Sequence, residues 1–149
     1  MELAEKMALL DVGLVRVVEQ LGDITAPAME RFYHRYPDAR ASFERLSNGD
    51  MAQLEGSMVE TALYCLMYWF DRPSEIEILF NQSVPHHHDT LDVMSAWYSG
   101  LIDTVVDVII ATIPPENDAE KAIWDELRAG LNAAIARCLS YSPMQREPA

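Results

Sequence analysis

The apolar residues of this chain recur at steps of three and four almost from end to end. Leu3, Met7, Leu10, Leu14, Val17, Val18 and Leu21 set the pattern, and Gly22 closes it. This spacing puts side chains on one face of a 3.6-residue helix. No stretch alternates polar and apolar residues for long, and no Asn-Gly turn joins strand-like runs, so a sheet has nothing to form from. The expectation is an all-α fold of about seven helices.

Punctuation along the chain divides these helices. Pro27 lies in the first turn of a second helix that runs through Phe32 and Tyr33 to Tyr36, and Pro37 ends it. DARASFERL reads as a short third helix, and Ser47–Asp50 as a turn that caps a long helix over residues 51–70. A weaker helical segment over 75–83 meets Val84-Pro85, with Pro85 expected to open the next helical turn. A strongly apolar helix is expected over 90–113, stopped by Pro114-Pro115, and Asn117 or Asp118 caps the last one. Residues 1–141 read as one domain, and 142–149 as a flexible tail.

Composition excludes several functions. The chain has 149 residues with 24 acidic against 11 basic, a net charge of −13. A surface this acidic repels phosphate backbones, and no Lys/Arg cluster offsets it, so nucleic acid is not an expected partner. The longest uncharged apolar run, Thr61 to Phe70, is too short to cross a bilayer, and the acidic N-terminus is not a signal peptide. Cys65 and Cys138 sit in apolar helical patterns and read as buried thiols, which suits a reducing cytoplasm. No Gly-rich phosphate loop, nucleophile turn or E-x-x-H pair is present, so enzymatic turnover is not expected.

Three of the four histidines stand together in VPHHHDTLDVMSAWY. Successive helical residues point about 100° apart, so His86, His87 and His88 cannot all face one metal ion. A zinc site also wants four ligands at one-turn spacing or on separate segments. From Val84 the string reads V-P-x-x-H-x-x-L-D-V-x-x-x-W-Y. It resembles the stretch around the haem-ligating histidine of globin-coupled sensors and their single-domain, protoglobin-like relatives, where I-G-x-x-H-x-x-I-G-L is followed by W-Y. Phe32-Tyr33 resembles the F-Y pair of that family's second helix. Pro85 and Asp92 depart from the pattern, each standing where the family has glycine.

The resemblance implies a globin-like fold binding haem b. His88 would be the proximal ligand of the iron, its second ring N–H given to a backbone carbonyl near Val84. Tyr33 would offer a distal hydroxyl to dioxygen or another diatomic gas, with Thr61 as a second donor. Phe43, Met58, Val93 and Trp97 would complete the haem-binding set. Leu54, Met58, Thr61, Ala62 and Cys65 would form the distal stripe, a pattern that equally suits plain core. His86 and His87 are then bystanders. Sensing or signalling through a separate partner protein is one expected role. A homodimer paired through Val105, Val106, Ile109 and Ile110 is another expectation. Two alternatives stay open: a haem-free globin-like module that binds a partner protein or another ligand, and a helical bundle holding metal through His86–His88.

Overall fold

A computed structural model describes residues 1–91 and 93–140, with the side chains at 87–90, 95 and 139–140 outside that description. It is all-helical. The order is α1 (Leu3–Leu21), α2 (Thr25–Arg35), α3 (Pro37–Leu46), α4 (Met51–Tyr68), α5 (Pro73–Thr90), α6 (Ser95–Ile110) and α7 (Asp118–Ser140). The local punctuation works as its chemistry dictates. Gly22 ends α1 at φ 66°, and its N–H donates to the Val18 carbonyl. Pro37 starts α3, where its missing N–H costs nothing. Asp50 caps α4 by accepting the Gln53 N–H at 3.1 Å, and Asn117 accepts the Glu120 N–H at 3.3 Å at the start of α7.

The centre of the molecule is α6 against α7. Along α7 the buried positions Ile123, Trp124, Leu127, Leu131, Ala134, Ile135 and Cys138 keep the three-four rhythm. Helix α6 is buried on most sides, and the stripe of Ala96, Ser99, Asp103, Asp107 and Ile110 reaches the surface. Ile102, Val105, Val106, Val108 and Ile109 are all buried, and the buried Thr104 hydroxyl donates to the Gly100 carbonyl at 2.7 Å. A helix whose apolar residues cover most of its circumference belongs inside a domain. This corrects the expected dimer face: Val105, Val106 and Ile109 lie in the monomer's own core, and Ile110 is half-buried against it. Around this pair α1 and α5 pack on α7, α2 packs on α6, and α4 reaches α2, α5, α6 and α7.

One polar node lies inside this packing. Glu120 is fully buried, and its carboxylate accepts a fork of two bonds from the Arg16 guanidinium, one of them at 2.8 Å. Trp124 Nε1 donates to it at 3.2 Å, while Arg16 Nε also donates to Thr112 at 3.1 Å. The Glu120 carboxylate holds Arg16 above its ordinary pKa. Gly13 makes the approach of α1 possible, because a Cβ there would lie 3.0 Å from Glu120 Oε2 and 3.1 Å from the Trp124 ring.

Two boundaries differ from the sequence expectation. Pro85 lies inside α5 rather than opening a new turn. A proline there removes one helical hydrogen bond, at a cost of roughly 3 kcal/mol in an isolated helix. Ile76, Phe80 and Val84, all buried at four-residue steps, carry the helix through it. Helix α6 starts at Ser95 instead of Thr90, because Met94 is extended (φ −61°, ψ 138°) and Val93 is buried off the helix. The apolar residues Leu91 and Val93 had extended the periodicity, but they wall a cavity. The tail expected over 142–149 and Asp92 lie outside the described residues.

Candidate functional site

Helix α4 crosses the molecule with Leu54, Met58, Ala62 and Cys65 on one face, at steps of four and three. Opposite it stand Leu79, Phe80 and Ser83 of α5, then Leu91 and Val93, then Trp97, Tyr98, Leu101 and Ile102 of α6. Phe43 and Leu46 of α3 close one end, and Ile135 of α7 contributes from the core side. The cavity is partly open to solvent, with a volume of about 480 Å³ and walls that are mostly apolar.

Five of the residues singled out in the sequence meet in this cavity: Phe43, Met58, Thr61, Val93 and Trp97 all line it. An aromatic chain holds its α3 end. Trp97 meets Phe43 edge-on at 5.6 Å, and Phe43 stacks on Phe32 at 5.8 Å with an interplanar angle of 8°. Phe32 in turn touches Tyr36 and Tyr33, so the α2–α3 junction is fixed to the cavity wall.

The polar groups are sparse. Thr61 has its one hydroxyl proton on the Ser57 carbonyl at 2.9 Å, one turn back in α4. Tyr98 places its hydroxyl 3.2 Å from both the Ser83 hydroxyl and the Ser83 carbonyl, joining α6 to α5. Burial pushes the Tyr98 phenol and the Cys65 thiol each up to about 12. Both therefore stay protonated at neutral pH, and Cys65 is not an activated nucleophile.

Tyr33 is not among the residues that line the cavity. Its ring packs against Phe43 at 6.2 Å, and its hydroxyl donates to Glu55 Oε2 at 2.6 Å. Burial, and then that carboxylate, hold the phenol above its ordinary pKa. The guanidinium of Arg40 sits 5.3 Å over the ring. Nothing in the sequence flagged Glu55, because the pair forms between helices 22 residues apart. Ser83, Leu79 and Phe80 were also missed as lining residues, although they fall on successive turns of α5.

His88 lies in the last turn of α5, one turn beyond the buried Val84; its side chain, like that of His87, is outside the described residues. His86 is exposed. Among the described residues, no three His, Cys, Asp or Glu side chains come together as a metal site, and no helix is long and apolar enough to cross a membrane.

A second depression of about 440 Å³ lies between the start of α2 and α4, open to solvent. Its Asp23 is occupied in accepting the Thr25 N–H at 2.9 Å and the Thr25 hydroxyl at 2.7 Å, in the turn that leads into α2. Compared with protein-family models, curated proteins and solved structures, the chain matches none of them significantly.

Proposed function

We propose that this chain is a globin-like haem protein that binds dioxygen or another diatomic gas, for sensing or signalling. The observation that carries the reading is convergence. Five side chains chosen from the sequence, on three helices and a link, wall one cavity. At about 480 Å³ it falls within the range of cofactor sites, roughly 300–1,000 Å³.

The residues present suit a flat apolar macrocycle. Leu54, Met58, Ala62 and Cys65 offer one wall, and Phe80, Val93 and Trp97 offer the other. The register of α5 brings His88 to the turn before Leu91 and Val93, both of which line the cavity. His88 would hold the iron through a neutral imidazole nitrogen, with a carbonyl near Val84 fixing its tautomer. Bound haem supplies an open coordination position for a diatomic ligand. The chain's own part is to exclude water there and to present or withhold a hydrogen bond.

The test is a haemin titration followed by visible spectra before and after reduction and under carbon monoxide. A Soret band that disappears in His88→Ala and persists in His86→Ala and His87→Ala is the expected result. A folded wild-type chain that takes up no haemin sinks the proposal.

One observation favours a second reading, a haem-free site for a neutral apolar ligand. No Lys or Arg is among the described lining residues, so nothing there neutralises the two carboxylates that haem carries. In that case haemin fails to bind, while a neutral apolar fluorophore binds and is lost when Ala62→Trp fills the cavity.

A further inference from the structure

Helix α1 carries two apolar faces. Leu10, Gly13 and Val17 are buried against the rest of the molecule. On the opposite pole Ala4, Ala8, Val12 and Val15 fall within about 80° of one another at 100° per residue. Val12 is 54% exposed, Val15 55% and Val18, at the edge of this stripe, 67%. Apolar side chains this exposed on a helix's outer face are unusual.

The charge around the stripe has one sign. Glu5 lies beside it, Asp11 and Glu19 lie on the same side of the helix among its apolar residues, and all three are exposed. The two basic residues of α1 are both committed elsewhere, Lys6 to Glu126 at 2.6 Å and Arg16 to the buried Glu120. A second copy of this chain would bring Glu5, Asp11 and Glu19 against the same three acids. Like charges facing each other oppose such a pairing. A partner with basic residues beside an apolar stripe meets no such opposition.

We propose that the outward face of α1 docks a basic amphipathic helix of a partner protein. The stripe is one helix wide and runs from Ala4 to Val18, roughly 21 Å at 1.5 Å per residue. Ala4 and Ala8 let a second helix axis come close at one end, and Val12, Val15 and Val18 fill the interface at the other. Lys or Arg flanking the partner's apolar residues pairs with Glu5, Asp11 and Glu19. This contact does not depend on the occupant of the cavity.

The test uses the full chain and an 18-residue peptide of leucine and lysine with an amphipathic helical pattern. A scrambled peptide of the same composition is the control. Binding of the patterned peptide at least tenfold tighter than the scrambled one, and weakening with salt, is expected. The double variant Val12→Ser/Val15→Ser, its folding checked by circular dichroism, should bind both peptides alike. Glu5→Gln/Glu19→Gln should weaken the patterned peptide several-fold. Equal affinity of wild type for both peptides overturns the proposal, as does undiminished binding by the valine variant. So does a wild-type dimer in sedimentation equilibrium that Val12→Ser/Val15→Ser disperses, because the occupant is then a second copy.

Discussion

The Tyr33 hydroxyl donates its proton to Glu55 Oε2 at 2.6 Å, tying α2 to α4 beside the cavity. A phenol has a single O–H, so while Glu55 accepts it, that donor is withheld from anything bound in the cavity. Tyr33 does not line the cavity, so if the cavity holds haem its hydroxyl can serve a bound ligand only by leaving Glu55 and turning inward. A glutamine there can donate its own amide N–H to the phenol oxygen, which leaves the phenol proton free. Glu55→Gln is therefore expected to slow dioxygen dissociation by about tenfold, the equivalent of roughly 1.4 kcal/mol. Stopped-flow displacement measures this. The slowing should be absent in Tyr33→Phe/Glu55→Gln, and an unchanged rate in Glu55→Gln alone means that Glu55 is not what holds the hydroxyl back.

Arg16→Met leaves the fully buried Glu120 carboxylate without its main partner. Breaking a buried pair from one side costs roughly 3–5 kcal/mol. Trp124 and Asn117 still donate to Glu120, which puts the expected loss near the lower end of that range. Urea denaturation measures it, and Arg16→Met/Glu120→Gln should recover more than half. A loss below 1 kcal/mol in Arg16→Met would mean that the pair behaves as a surface contact.

Gly100 lies in α6 where a Cβ would fall on the Tyr36 ring, 2.6 Å from Cζ. That ring is packed against Phe32 at 5.1 Å and beneath the Arg35 guanidinium at 5.5 Å. Glycine to alanine in a helix interior ordinarily gains up to about 1 kcal/mol. Overpacking costs about 1–3 kcal/mol, so Gly100→Ala should come out net destabilising. In a Tyr36→Ala background the obstacle is gone, and the same change should stabilise. Paired thermal melts give both signs.

The parts legible in the sequence were those governed by helical period. Leu54, Met58, Ala62 and Cys65 repeat on one face of α4, and they form one wall. Phe43, Val93 and Trp97 were found by resemblance and line the same space. What escaped was set by contacts between distant segments. Nothing local announces that Glu55 meets Tyr33, or that Arg16 reaches Glu120 across 104 residues. Pro85 misled because the rule for proline is local, whereas Ile76, Phe80 and Val84 decide α5 by their burial. The dimer face was misjudged for a reason visible in the sequence. The apolar residues of α6 cover most of its circumference, and Val105, Val106 and Ile109 are taken up by the chain's own core.

Burial raises the Cys65 thiol from 9.0 to about 12 and the Tyr98 phenol from 10.0 to about 12. In each case the folded chain holds the proton more tightly than the unfolded chain. The unfolded state therefore binds fewer protons once pH passes the ordinary values, and stability falls as pH rises. The contribution is fully present below about pH 9. It is lost progressively from there towards pH 12. For the fully enclosed Cys65 the slope approaches about 1.4 kcal/mol per pH unit. Urea denaturation between pH 7 and 11 should show a flat region and then this decline. Cys65→Ala should make the decline shallower while lowering stability at pH 7 through the space it leaves. An identical slope in Cys65→Ala would assign the alkaline loss to other groups, Tyr98 first among them.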